Sequence, residues 1–270
     1  IFEGQLKRKY PEVSDQARAF IKAHPELTAA IHDPSKPGCE DRLMAAILDE
    51  TRLRRVLSRM LDEKEFLSAY GIRSLSRYHA DHAFVFPVGA QEYRVSYLPA
   101  ESDTGMFGGN SNWRGPIWMP VNGLIIRALL QYYSYYGNDF TIECPTGSGQ
   151  RMNLYQVAQE LAHRLSAIFL RDANGRRPVY GATEKFQTDP HWRDYIHFYE
   201  YFHGDNGAGL GASHQTGWTG GIARLMHLFA TVQPEELLEF GKKAYVMDET
   251  PRVDIPPPPQ PGQRPPARRI

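Results

Sequence analysis

Long apolar stripes at helical spacing constrain this chain most, because the loops between them are too aromatic and too rich in glycine to be plain connections. Between Asp41 and Phe66, Leu43, Ile47, Leu53, Val56, Leu57, Met60 and Leu61 recur near a 3.6-residue period with charged residues between them. That pattern predicts one helix with a single buried face, its run ended by Gly71. A second long helix is expected just after Pro116, carrying Val121, Leu124, Ile125, Ala128, Leu129 and Tyr132. Asn153 is placed as the N-cap of a third, with Leu154, Val157, Leu161, Leu165 and Ile168 on one face. A fourth is expected from about Gly217 to Ala230, and Pro234 starts a short fifth. Near the start, Ser14 is placed as the cap of a short amphipathic stretch with Ala17, Phe20 and Ile21. Only from Tyr78 to Pro99 does the period fall to two, with Phe84, Phe86, Val88, Tyr93, Val95 and Tyr97 alternating with their neighbours. Short strands turning at Gly89-Ala90 are expected there, so the fold class is mainly α with a small extended excursion near 78–99.

Composition narrows the function. Lys+Arg and Asp+Glu are 31 each in 270 residues, which leaves no basic surplus to neutralise phosphates and argues against a nucleic-acid partner. Aromatics make up 12% of the chain, enough to fill a core or to line a groove for the apolar faces of sugar rings. Cys39 and Cys144 are too few for a disulfide scaffold or a metal cluster. The richest apolar stretch, Ile117 to Leu130, is interrupted by Asn122 and Arg127, so no membrane span is expected. The chain opens at Ile1 without a signal-peptide pattern and reads as a cytoplasmic piece of something longer. Eight of its last twenty residues are proline and four are arginine, so 249–270 is expected to be a disordered tail behind a body of 1–248.

Three stretches carry candidate chemistry. Gly108-Gly109-Asn110-Ser111-Asn112-Trp113-Arg114-Gly115-Pro116-Ile117-Trp118 sets two tryptophans around an arginine and a Gly-Pro bend at the mouth of a helix. Indole faces and guanidinium or amide donors suit a pyranose; the competing reading buries both tryptophans in the core and pairs Arg114 with a carboxylate. In Phe198-Tyr199-Glu200-Tyr201-Phe202-His203-Gly204-Asp205, a carboxylate lies among aromatics, as a water-activating base requires, or sits on the outer face of a helix whose rings point inward. Gly207-Ala208-Gly209-Leu210-Gly211-Ala212 matches G-x-G-x-x-A but lacks a preceding strand and a βαβ context. It is expected instead to be a loop whose tip, Ser213-His214-Gln215, leads into a helix behind Thr216. Pro145-Thr146-Gly147-Ser148-Gly149 is a turn rather than a phosphate loop, and His79 and His82 have nothing nearby to complete a metal site.

Together, Asn112-Trp113-Arg114-Gly115-Pro116-Ile117-Trp118, Glu200 and His214-Gln215-Thr216-Gly217-Trp218-Thr219 resemble the C-terminal part of the catalytic domain of glycoside hydrolase family 63. That family includes processing α-glucosidases and the related mannosylglycerate hydrolases, and the resemblance runs from about Met60 to Phe229. It implies an (α/α)6 toroid, incomplete here on its N-terminal side, with the sugar pocket in the inter-helical loops. It also implies inverting hydrolysis of an α-linked glucoside or mannoside by two carboxyls about 6.5–9.5 Å apart. Glu200 matches the general base, Trp113 and Trp118 the aromatic wall, Asn112 a neighbouring pocket position and Gln215 a sugar-contacting position, while Arg114 is expected to hold the sugar with them. No organic cofactor is implied, and no loop has the oxygen density that calcium requires. In the family the acid Asp lies well over a hundred residues before the base, and neither Asp103 nor Asp205 occupies its position. The acid is therefore expected outside this chain, leaving the chain inactive alone. The alternative is a non-catalytic carbohydrate-binding or scaffolding remnant, and a third reading is a plain helical interaction module.

Overall fold

The computed structural model describes residues 1–29, 31–105, 112–241 and 244. Residues 108–111 of the first candidate loop and the tail 249–270 lie outside them. The helices in chain order are α1 (Gly4–Lys9), α2 (Pro11–Ala23), α3 (Pro25–Thr28), α4 (Glu50–Met60), α5 (Met119–Tyr136), α6 (Leu154–Ala167), α7 (Glu184–Thr188), α8 (Thr216–Thr219), α9 (Ile222–Thr231) and α10 (Pro234–Phe240). The strands are two- to five-residue pieces: β1 (Leu67–Ser68), β2 (Gly71–Ile72), β3 (Phe84–Val88), β4 (Gln91–Val95), β5 (Thr141–Glu143), β6 (Arg151–Asn153), β7 (Tyr201–Phe202) and β8 (Gly209–Leu210). They pair as four antiparallel hairpins, β1-β2, β3-β4, β5-β6 and β7-β8. The chain is mainly helical.

The core forms where α6 packs against α5 and α9. Asn153 caps α6 as its sequence predicts: its side chain accepts the Gln156 N–H at 2.9 Å, and Gln156 Oε1 accepts the Asn153 N–H at 2.9 Å. This reciprocal pairing satisfies two amides that the first helical turn leaves without partners. Leu154, Val157, Leu161, Leu165 and Ile168 are all fully buried.

Elsewhere the stripes are corrected. The helix expected over Asp41 to Phe66 runs only over Glu50–Met60, because the Asp49 carboxylate accepts the Arg52 N–H at 2.7 Å and starts it there. Upstream, Leu43 bridges to Phe2 and the Ala46 carbonyl accepts the His32 N–H, so that stretch is extended and Ile47 is exposed. After Leu61, the Asp62 side chain accepts the Lys64 N–H in a turn that ends the run well before Gly71. On α5 the buried face is Asn122, Ile126, Leu129, Leu130 and Tyr133, rotated from the predicted stripe; Val121 and Leu124 are exposed. Its first-turn proline is Pro120 rather than Pro116. The first amphipathic helix has Tyr10 at its N-cap and Ser14 inside it. The single helix expected from Gly217 to Ala230 is broken into α8 and α9 around Gly220 and Gly221. The β3-β4 hairpin turns at Gly89-Ala90, with Phe86 opposite Tyr93.

Asn122 fastens α5 to the strands. Its Oδ1 accepts the Ile72 N–H at 2.8 Å, and its Nδ2 donates to the carbonyls of Ile72 and Trp118, both at 3.0 Å. The neighbouring Gly71 has φ +126, and a Cβ there would stand 2.8 Å from Leu165 Cδ2. Beyond Ile72, Arg73 bridges to Ile117 and Ile117 to Phe202, extending the hairpins into a floor beneath the helix starts. Replacing Asn122 by Ala would leave the amide and carbonyl of Ile72 buried without partners. It is expected to cost about 2–4 kcal/mol of unfolding free energy in a denaturant titration, whereas a loss under about 0.5 kcal/mol would show that the fastening is dispensable.

Candidate functional site

The floor brings the two distant motifs together. Ile117 and Phe202 exchange backbone hydrogen bonds at 2.8 and 3.0 Å, which sets the tryptophan loop beside the strand that Glu200 leads into. At the end of the Ile117 segment, Trp118 is 2% exposed and precedes α5. Trp113 stacks on it with ring centroids 3.7 Å apart and planes 3° from parallel. Tyr201 stacks on it at 4.8 Å, and Trp218 meets it edge-on at 6.2 Å. The pile has a buried interior and an open end, for Trp113 is 42% exposed while Tyr201 is fully covered. A flat indole in water beside polar groups is a surface against which the apolar face of a sugar can lie.

Asn112 and Arg114 hold this platform. The Asn112 amide donates to the carbonyls of Leu98 and Ala100, both at 2.7 Å, and its Oδ1 accepts the Arg114 N–H at 3.0 Å. The Asn112 carbonyl accepts Trp118 Nε1 at 3.0 Å. Arg114 is 5% exposed; its guanidinium pairs with Asp103 at 3.3 Å and donates to Ser102. The sequence alternative in which Arg114 pairs with a carboxylate thus describes its contacts, while for the tryptophans it describes Trp118 but not Trp113.

Glu200 lies at a bend just before β7, not on a helix, and is half-buried. Its N–H donates to the Ala212 carbonyl at 3.0 Å, and the Ala212 N–H donates back to its Oε2 at 3.2 Å. Trp218 Nε1 donates to the Glu200 carbonyl at 3.1 Å, linking the residue to the same aromatic pile. Gly211, at φ +71, leaves the space beside this carboxylate: a Cβ there would meet Glu200 Oε2 at 2.8 Å. Gln215 is exposed and precedes α8, as the expected loop-to-helix tip requires; its N–H donates to the Phe198 carbonyl at 2.6 Å.

Neighbouring polar groups are structural. Asp205 accepts from Arg73 at 3.0 Å and from the Tyr97 hydroxyl at 2.9 Å. His203 Nδ1 accepts the Asp205 N–H at 3.1 Å, and burial holds this imidazole below its ordinary pKa. His79 and His82 turn their Nδ1 atoms to the carbonyls of His82 and Tyr78. Among the described residues no group of three or more His, Cys, Asp or Glu is placed to hold a metal ion. No described helix is long and apolar enough to cross a membrane.

Tyr201 is a site residue that the sequence did not single out, beyond its place next to Glu200. Its hydroxyl donates to Glu101 at 2.7 Å. Burial first, then that hydrogen bond and the charges of Glu101 and Glu200, hold its phenol well above the ordinary tyrosine range. Burial likewise pushes Tyr133 and Tyr136 up to about 12. Since these folded-state values lie above the unfolded value near 10, the stability they contribute is complete below about pH 10 and is lost as pH rises beyond it. Phenolate absorbance at 295 nm is therefore expected to show a subset of tyrosines ionising only as the melting temperature falls above that pH. Ionisation of all fifteen near pH 10 with an unchanged melting temperature would contradict the burial of these hydroxyls.

Residues 42–219 match the Mannosylglycerate hydrolase MGH1-like glycoside hydrolase domain. Uncharacterized protein YMR196W of Saccharomyces cerevisiae is 54% identical over 208 residues, which cover 76% of this chain and 19% of that protein. The mannosyl-oligosaccharide glucosidase of the same yeast is 27% identical over 179 residues, or 66% of this chain and 15% of the enzyme. A probable mannosyl-oligosaccharide glucosidase of Schizosaccharomyces pombe is 27% identical over 178 residues, or 66% of this chain and 16% of its own length. The chain thus spans less than a fifth of each of these relatives, and its matched segment contains the aromatic pile, Glu200 and the loop to α8. It belongs to the MGH1-like glycoside hydrolases of glycoside hydrolase family 63.

Proposed function

We propose that this chain is the base-bearing part of an inverting glycosidase acting on an α-linked glucoside or mannoside. The observation that carries the reading is the placement of Glu200: a half-buried carboxylate, one oxygen fixed by the Ala212 amide, tied through Trp218 to a tryptophan stack with an open face. In this reading a pyranose lies against Trp113, with Trp118 beneath it and Asn112, Arg114 and Gln215 shaping the surrounding loops. Glu200 takes a proton from a water whose oxygen attacks the anomeric carbon on the face away from the leaving group. The glycosidic C–O bond breaks as an acid carboxyl gives its proton to the departing oxygen. The names of a relative, a mannosyl-oligosaccharide glucosidase, and of the matching family, a mannosylglycerate hydrolase MGH1-like domain, are consistent with both sugars.

The acid belongs to sequence outside this chain. Asp103 and Asp205 are engaged in ion pairs with Arg114 and Arg73, at 3.3 and 3.0 Å. The same observation favours the second reading, a sugar-binding remnant without hydrolysis. An (α/α)6 toroid completed by further helices fits the uncovered apolar stripe of α5.

The test is Glu200→Gln in the intact protein, assayed on α-glucosides and α-mannosides. Turnover is expected to fall by about two to four orders of magnitude while sugar binding, followed by tryptophan fluorescence, persists. Near-normal turnover in the variant removes Glu200 from the chemistry. Sugar binding with no turnover by the unmodified intact protein selects the remnant.

A further inference from the structure

We propose that Glu101 is a second sugar-contacting carboxylate of this site, an acceptor for pyranose hydroxyls, and that Tyr201 is the residue that positions it. The inference deepens the glycosidase reading and rests on it for the presence of a sugar.

Glu101 stands in a loop pinned on both sides. The Leu98 N–H donates to the Arg114 carbonyl at 2.6 Å, and the Asn112 amide holds the carbonyls of Leu98 and Ala100. On the other side Arg114 engages Ser102 and Asp103. Its carboxylate, exposed to solvent, receives the Tyr201 hydroxyl at 2.7 Å, and among the described residues no cation pairs with it.

Tyr201 ties this carboxylate to the platform. Its ring is fully buried against Trp118, which also carries the exposed Trp113. Its chain neighbour is Glu200, and both carboxylates act on its phenol. A flexible surface Glu gains little from one hydrogen bond in water, because ordering the side chain offsets it. Donated by an immobile phenol, however, that bond fixes the direction of the carboxylate next to the indole stack. A carboxylate held in this way is preorganised to accept hydroxyl protons, and a preorganised acceptor binds without a further ordering cost. With Oε2 receiving the Tyr201 hydroxyl, Glu101 is assigned as an acceptor for sugar hydroxyls.

Three variants of the intact protein test this: Glu101→Gln, Tyr201→Phe and, as the reference for the base, Glu200→Gln. Each is measured on a parent α-pyranoside and on its series of monodeoxy analogues. Glu101→Gln is expected to raise KM about tenfold with kcat changed less than about threefold, the reverse of the pattern for Glu200→Gln. Tyr201→Phe should give a smaller rise in the same direction. For at least one monodeoxy analogue the penalty of Glu101→Gln should vanish, because the hydroxyl it accepts is already missing; a merely structural loop defect would penalise every analogue alike. A KM within twofold of the unmodified protein, or an equal penalty across the whole series, overturns the proposal. If Glu200→Gln leaves turnover intact, the assignment of Glu200 as the base fails separately, and fluorescence titration of the Glu101→Gln variant with the same sugars still decides whether Glu101 binds them. An intact protein that neither turns over nor binds any member of the series rejects both.

Discussion

The backbone pairing of Ile117 with Phe202 fixes the geometry on which the rest of the site depends. The two residues are 85 positions apart in sequence, yet their N–H and C=O groups meet at 2.8 and 3.0 Å. Pairing between strands sets direction as well as proximity, since the register decides which side chains share a face. One residue beyond Ile117, Trp118 opens α5; one before Phe202, Tyr201 stacks on that indole; one further back stands Glu200. A slip of one position would exchange Tyr201 with a neighbour facing the other way and would dismantle the aromatic pile. The site is therefore rigid at its base, although loops supply most of its residues.

Buried guanidiniums hold those loops where helices do not. Arg42 donates to the carbonyls of Ser134, Leu238 and Glu239, joining α5 to the end of α10. Arg73 reaches the Leu67 carbonyl and Asp205, and Arg114 reaches Ser102 and Asp103. Burying a cation is costly unless its donors are satisfied, and five N–H groups in a fixed fork can satisfy several irregular segments together. Arg73 and Arg114 thus tie together irregular segments, while Arg42 joins two helices. Asp205 and Asp103 are parts of this framework.

What was legible in the sequence follows from how local each signal is. Asn153 with Gln156 three residues later is a self-contained cap, and α6 forms where the pair predicts. Gly89-Ala90 and the alternation around it need only near neighbours, and the hairpin forms there too. The helix assigned from Asp41 failed because a periodic stripe does not say which capping residue wins, and Asp49 does. Trp113, Trp118 and Glu200 stood out as residue types in unusual company. Glu101 gave no such signal: its partner Tyr201 lies a hundred residues on, and the pairing of Ile117 with Phe202 and of Gly204 with Pro99 brings them together.

The mistaken face of α5 is informative for the same reason. Apolar residues occupy both the stripe that packs on α6 and the stripe that contains Val121, Leu124 and Ile125, so periodicity alone could not choose between them. A helix that is apolar all round belongs in an interior covered on more than one side. Here one side is covered by α6 and α10, whereas the other opens onto a groove of about 860 Å³ where Val121 and Ile125 face Val56, Met60 and Phe66 of the α4 region. Concentric rings of helices, as proposed for the complete domain, would cover such a helix from both directions. Trp118 sits at the start of that same helix, so whatever packs along the open stripe also bears on the floor of the candidate site. The open stripe and the aromatic pile are thus joined through the start of α5.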